Sequence, residues 1–142
     1  ALASARRAVA LLTGATGAAS REVTVARMLE GLALATTGDI EGGEALLQEA
    51  YTPENRTPWS AWIYGRFHAR AGRATAARTA LLLACHNGQD FALACHDAAE
   101  IYKGLSEGRI QERTLRELRA AYLRTAPRGH HAAEMRAALE AN

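Results

Sequence analysis

The chain has 142 residues, which fits one domain and is long enough to bury a hydrophobic core without a disulfide or metal staple. Hydrophobic residues make up 49% of it, but valine and isoleucine together supply only seven, so alanine and leucine dominate and helix is favoured over strand. A net charge of +2 is too small to indicate a nucleic acid or a membrane surface as partner, and no apolar run is long enough to span a bilayer.

Residue usage also bears on the source and the compartment. All but one of the 17 basic residues are arginine, the exception being Lys103, and this bias indicates a GC-rich, bacterial coding sequence. Cys85 and Cys95 are too few for a disulfide framework, and both fall in helical patterns where a buried thiol is ordinary. We therefore expect two free thiols in a cytoplasmic protein. Because the chain opens at Ala1, we also expect it to be a segment of a longer one.

The first predicted element is a helix over residues 2 to 12, the second helix of a truncated hairpin, followed by a loop over residues 13 to 17. Residues 9 to 20 resemble the strand and Gly-rich turn of short-chain dehydrogenases, which would make residues 13 to 20 a nucleotide-binding loop. Ser20 replaces the third glycine of that pattern, however, and the following residues offer helix where a second strand is needed. We predict an interhelix loop and keep a nucleotide-dependent enzyme as the alternative.

The next segments form a predicted helical hairpin. Ser20 caps a helix that runs to about Thr37 and is stopped by Gly38. A partner helix follows over residues 41 to 51 and carries two consecutive glycines, each weakening it by roughly 1 kcal/mol relative to alanine. We expect close packing against the first helix to explain why these glycines are tolerated.

A second hairpin is predicted after a polar connector. Thr57 caps its first helix with Pro58 at the first helical position, and a second helix over residues 74 to 86 follows Gly72.

A third hairpin and a terminal helix complete the prediction. Asp90 caps a helix over residues 91 to 105, and a turn at Gly108 leads into the next helix. Beyond Pro127, a short amphipathic helix over residues 131 to 141 would cover the open end of the stack.

Residues 27 to 50 and 61 to 84 repeat one another at a spacing of 34 residues without a gap. The matching pairs are Gly31 and Gly65, Ala35 and Ala69, Gly38 and Gly72, Leu47 and Leu81, and Ala50 and Ala84. In these residues the chain resembles the tetratricopeptide repeat family. The resemblance implies an all-α, right-handed stack of antiparallel helical hairpins forming a single domain. Its parts would be a truncated helix and loop (1–19), hairpins (20–52, 57–87 and 90–126) and a capping helix (130–142).

The same resemblance implies a binding groove, because the first helices of successive tetratricopeptide hairpins line a concave surface. Register places there Met28, Leu32, Trp59, Trp62, Arg66, Arg70, His96, Glu100 and Lys103. Trp62, Arg66 and Arg70 are spaced by four, so they share one helix face and would suit a peptide with an apolar anchor and a carboxylate. The alternative is that Trp59 and Trp62 pack against the neighbouring hairpin.

Two Cys-His pairs, Cys85-His86 and Cys95-His96, are the metal candidate in the sequence. Adjacent helical residues diverge by about 100°, so each pair would struggle to direct both side chains at one ion. His130-His131 falls in a predicted loop and lacks a cysteine or carboxylate at ligand spacing, so no chemistry is assigned to it. We expect no metal and no cofactor.

No nucleophile and base stand at a recognisable catalytic spacing, so no catalytic residue is assigned and the chain is not expected to be an enzyme. We expect a protein- or peptide-binding or scaffolding module within a larger bacterial protein, with its oligomeric state left open. The Ala/Arg-rich repeats also resemble the helical-repeat segments of large bacterial transcription regulators of the maltose-regulator type. That resemblance implies the alternative of an effector-sensing domain.

Overall fold

The structure, a computed structural model, describes residues 1–17, 20–87, 92–104 and 109–141. Within these ranges the chain is all-helical, as predicted, and contains no strand. Its α-helices are α1 (Leu2–Thr16), α2 (Arg21–Thr37), α3 (Ile40–Ala50), α4 (Pro58–Arg70), α5 (Ala74–Asn87), α6 (Ala92–Lys103), α7 (Arg109–Thr125) and α8 (Ala132–Glu140). A 3-10 turn, Pro53–Asn55, lies between α3 and α4. The predicted cap Asp90 and turn Gly108 lie outside the described residues.

The helices pack mainly on their neighbours in the chain. Helices α1, α2 and α3 form one group in which each helix contacts the next, and helices α4 to α8 form a second group of the same kind. Helix α2 packs directly on α4 and joins the two groups. The first helices of the three predicted hairpins, α2, α4 and α6, therefore follow one another through the fold, since α4 also touches α6.

Side-chain caps fix where α2, α3 and α4 begin. The Ser20 hydroxyl accepts a hydrogen bond from the Val23 amide (3.2 Å), and the Asp39 carboxylate accepts one from the Gly42 amide (2.9 Å). Thr57 and Ser60 cap the start of α4 reciprocally, each hydroxyl accepting from the other residue's amide. Such caps satisfy amides that have no partner within the helix. The predicted caps at Ser20 and Thr57 are confirmed.

The predicted loop over residues 13 to 17 is wrong for its first four residues. Helix α1 continues to Thr16, whose hydroxyl donates to the Leu12 carbonyl (2.9 Å), and ends at Gly17, where φ is +86°. At Gly17 the chain leaves the helix with a positive φ that residues with a side chain rarely adopt, whereas Gly14 is accommodated inside the helix. Because residues 9 to 16 are helical, this segment lacks the strand and turn that the dinucleotide interpretation requires.

Glycines allow the two helices of a hairpin to touch through their backbones. A Cβ atom at Gly31 would lie 2.8 Å from the carbonyl oxygen of Gly43, and one at Gly43 would lie 2.5 Å from that of Gly31. In the next hairpin, a Cβ atom at Gly65 would lie 2.6 Å from Cγ of Leu81. The predicted close approach at Gly31 and Gly65 is confirmed. It also explains Gly43, whereas a Cβ at Gly42 would meet the capping carboxylate of Asp39.

The core consists of two clusters that meet at α4. In the first cluster, Ile63 and Phe67 of α4 pack with buried residues of α2 and α3. In the second cluster, Ala61 of α4 packs with buried residues of α5, α6, α7 and α8. Tyr51 and Trp62 touch both clusters. Helix α4 is therefore buried from two sides, and only a narrow strip of it is left for a ligand.

One ionisable side chain is buried in α4. His68 is 5% exposed, its ring lies edge-on to Tyr64 and Phe67, and neither ring nitrogen hydrogen-bonds to a described residue. Burial, helped by the positive charge of Arg73, lowers the pKa of His68 despite the nearby carboxylate of Glu44. The neutral ring is therefore the form that the folded chain favours.

We expect Gly65→Leu to lower the free energy of unfolding by about 1 to 3 kcal/mol, because the new side chain has to displace Leu81. Gly14→Leu is the matched control, since a Cβ at Gly14 meets nothing within 4 Å. This substitution should raise the free energy of unfolding by up to about 1 kcal/mol, because leucine has a higher helix propensity than glycine. Urea unfolding measures both. Equal effects of the two substitutions would contradict a close contact at Gly65.

We expect stability to fall as the pH drops below about 6.5, the usual pKa of histidine, because the unfolded chain then binds a proton that folded His68 resists. The contribution of neutral His68 to the free energy of unfolding is fully present above that pH. His68→Phe should reduce the loss between pH 6.5 and 5, whereas His86→Phe, at an exposed position, should not. Unfolding curves at several pH values provide the measurement, and parallel profiles for wild type and His68→Phe would be inconsistent with this role.

Candidate functional site

A cleft of about 420 Å³ lies between α2, α4 and α6. Each helix contributes side chains to its walls: Leu32 and Thr36 from α2, Arg66, Ala69 and Arg70 from α4, and Asp97, Glu100 and Ile101 from α6. Leu81 from α5 closes the bottom. The cleft thus combines apolar surface with two guanidinium groups and two carboxylates.

Asp97 organises one wall of the cleft. Its Oδ2 atom accepts a hydrogen bond of 2.7 Å from the indole Nε1 of Trp62 and one of 3.4 Å from Arg66. The Arg66 guanidinium also lies 5.1 Å from the centre of the Trp62 ring, within cation-π range. Trp62 is therefore oriented by α6, and Arg66 is held between a ring and a carboxylate.

The charges of the cleft are unequally partnered. Asp97 is paired with Arg66, and Glu100 is paired with Lys103 at 2.6 Å, so both acidic groups already have a cation. Arg70 is exposed and forms no ion pair with any residue that the structure describes. The cleft therefore presents one guanidinium group that is available to an anion.

The residues predicted for the groove divide between several places. Leu32, Arg66, Arg70 and Glu100 line the cleft. Met28 was predicted wrongly, because it is fully buried among α2, α3 and α4 and has no surface to offer. Met28 and Leu32 lie one turn apart on nearly the same face of α2, but α3 and α4 cover Met28 completely and leave Leu32 partly exposed.

The two tryptophans differ in environment. Trp62 packs against the core cluster of the neighbouring hairpin, as the structural alternative predicted. Trp59 is 55% exposed and stands edge-on to Trp62, with ring centres 5.8 Å apart. It borders a separate apolar surface with Leu12, Val25 and Leu29 and therefore lies outside the cleft between α2, α4 and α6.

His96 and Lys103 face the terminal helix instead of the cleft. The ring of His96 stacks on that of His131 with centres 3.7 Å apart, and Lys103 reaches Glu134 at 3.4 Å as well as Glu100. His96 and Lys103, which were predicted for the groove, therefore do not line the cleft. A terminal helix over the end of the stack was predicted, but the 34-residue register leaves open which side chains of α6 that helix contacts.

A cluster of His96, His131 and Glu134 results. His131 Nδ1 lies 3.4 Å from the Glu134 carboxylate, so the statement that this histidine pair has no carboxylate at ligand spacing is wrong. Partial burial raises the pKa of Glu134, but hydrogen bonds from Lys103 and His131 outweigh it and the net pKa is lowered. The spacing of three residues at the start of a predicted helix was the missed signal.

Asp97, the group that orients Trp62 and Arg66, was not predicted from the sequence. A carboxylate on the first helix of the next hairpin, near the register of a tryptophan and an arginine, was the available signal. Its pairing spans 35 residues to Trp62 and required the packing of α4 on α6.

Cys85 and Cys95 form a disulfide bond between α5 and α6, so the expectation of two free thiols is wrong. Packing of these helices brings the two Cα atoms within 4.7 Å, inside the range that a disulfide spans. The bond removes the thiolates that the Cys-His zinc hypothesis needed. The expectation of a cytoplasmic protein was based on free thiols. The disulfide removes that basis, because disulfides persist mainly in oxidising compartments.

No helix within the described ranges has both the length and the apolar character to cross a bilayer. No protein-family model matches the chain, and neither a curated protein nor a solved structure matches it.

We expect reduction of the Cys85–Cys95 bond to lower the free energy of unfolding by about 2 to 4 kcal/mol, because the cross-link restricts the unfolded chain. Urea unfolding with and without dithiothreitol measures this loss, and a Cys85→Ala/Cys95→Ala variant should be insensitive to the reductant. Two titratable thiols in protein purified without reductant would contradict the pairing.

Proposed function

We propose that the chain is a protein- or peptide-binding module of the helical-repeat type, and that the cleft between α2, α4 and α6 accepts a segment of the partner. The helices around the cleft support this, because they are the first helices of the three hairpins and these line the concave surface in tetratricopeptide arrays. We also propose that the hairpins are stacked on one another and that the chain is part of a larger bacterial protein.

The observation that carries the proposal is Arg70. Its exposed guanidinium stands at the cleft while the acidic groups beside it, Asp97 and Glu100, are already engaged by other cations. A guanidinium group binds a carboxylate through two parallel hydrogen bonds, so the cleft favours a ligand with an acidic side chain or a chain terminus.

The apolar walls complete the recognition surface. Leu32, Ala69 and Ile101 border the same space as Arg70, so an aliphatic side chain next to the carboxylate would bury its surface there. The volume of about 420 Å³ falls in the range of small ligand sites, which matches a few residues of an extended peptide better than a whole helix.

Rigidity also favours this site. Arg66 is held by Asp97 and by the face of Trp62, so one wall is ordered before a ligand arrives. An ordered site loses less conformational entropy on binding than a mobile one does.

We expect Arg70→Glu to weaken binding of acidic peptides at least about fivefold, equivalent to roughly 1 kcal/mol. Peptides would be selected from a displayed random library with the wild-type chain and measured by fluorescence anisotropy. Arg116→Glu is the matched control, since it reverses the same charge at an exposed position on α7, away from the cleft.

Arg70 is the better position for this test than Arg66, because a glutamate at 66 would face Asp97 and disturb the fold. Replacing the peptide's carboxylate with an amide should also weaken binding to the wild-type chain, and Arg70→Glu should then cause no further loss, because the amidated peptide no longer carries the charge that Arg70 binds. A normally melting Arg70→Glu variant that binds the selected peptides as tightly as wild type would rule out the cleft. A library that yields no binder would rule out peptide recognition.

A further inference from the structure

The cluster of His96, His131 and Glu134 lies outside the cleft and is not explained by peptide binding. Each residue offers one ligand atom, and these atoms all lie within 4.8 Å of one another. Two imidazoles and one carboxylate form a ligand set that zinc uses with a water molecule in the fourth position. We propose that these three residues bind a divalent transition-metal ion of the zinc type, linking α6 to the start of α8.

A second layer of contacts supports the proposal. His96 Nδ1 lies 3.3 Å from Asp97 Oδ1, so donation of the Nδ1 proton to that carboxylate leaves Nε2 as the acceptor for a metal. The other oxygen of Asp97 is held by Trp62 and Arg66. A carboxylate that orients a histidine in this way is the usual companion of a metal-bound imidazole.

The position of His131 is also fixed. Its backbone amide donates a hydrogen bond of 3.1 Å to the hydroxyl of Tyr122, which is buried on α7. Glu134 lies one helical turn further on, on the same side of α8, at 3.4 Å from the His131 ring. The chain therefore delivers the two ligands from α8 as a unit.

Metal binding requires a modest rearrangement. The two imidazole rings are stacked within 20° of parallel, whereas a metal ion needs their nitrogen lone pairs to converge. Ligand atoms about 2 Å from a tetrahedral ion are roughly 3.3 Å apart. The three ligand atoms now lie within 4.8 Å of one another. Rotation of the rings about their side-chain bonds brings these atoms to the shorter spacing without moving a helix.

Charge and access are compatible with an ion. A glutamate side chain is a carboxylate at neutral pH, which is the form that binds a metal ion. Lys103 contacts both Glu134 and Glu100. When a metal ion replaces Lys103 beside Glu134, Lys103 keeps its ion pair with Glu100. The side chains of His96, His131 and Glu134 are 15%, 27% and 49% exposed, so an ion reaches the site from solvent.

Isothermal titration of the chelator-treated chain with zinc chloride tests the proposal. The experiment is run without reductant, so that the disulfide keeps both sulfurs from binding zinc. We expect one ion per chain, at least about tenfold weaker binding by His96→Ala and by Glu134→Gln, and wild-type binding by His86→Ala. Glu134→Gln alters an exposed residue and so keeps the test valid if His96→Ala fails to fold.

Two further readouts separate this site from nonspecific binding. Cobalt(II) in place of zinc should give the intense visible absorption of a four-coordinate ion in wild type and lose it in Glu134→Gln. Zinc should raise the thermal midpoint of wild type and leave that of Glu134→Gln unchanged, because an ion that binds only the folded state stabilises it. Zinc binding that is absent, or equal in wild type, His96→Ala and Glu134→Gln, would overturn the site.

Discussion

Backbone contact between the two helices of a hairpin is the constraint on which the other features depend. Gly31 and Gly43 bring the backbones of α2 and α3 together, and Gly65 lets α4 approach α5 by leaving room for the Leu81 side chain. Because the second helix covers one side of the first, Met28 and Phe67 are buried while Arg66 and Arg70 are left at the surface. The composition of the cleft is therefore a consequence of which helix faces the glycines allow to be covered.

Asp97 connects the two sites. One of its oxygens accepts from Trp62 and Arg66 at the cleft, and the other lies against His96 at the histidine cluster. A carboxylate that accepts hydrogen bonds from several donors fixes the orientation of each of them. The proposed peptide site and the proposed metal site thus share one positioning residue.

Local features were predictable from the sequence because their causes lie within a few residues. The caps at Ser20 and Thr57 and the small residues at Gly31 and Gly65 depend on short-range chemistry and a 34-residue register. The disulfide, the partners of Asp97 and the burial of Met28 depend on how helices cross, which periodicity leaves open. The histidine cluster lies between these cases, since the spacing of His131 and Glu134 was visible but the contact of α8 with α6 was not.

Consecutive residues of a helix point in directions about 100° apart, which makes them poor chelators of a single ion but good anchors for several neighbours. Cys95, His96 and Asp97 show the second property. The first is covalently joined to α5, the second stacks on the residue before α8, and the third binds two side chains of α4. A single turn of α6 is therefore the junction where three other helices are tied together, and displacement of that turn is transmitted to all of them.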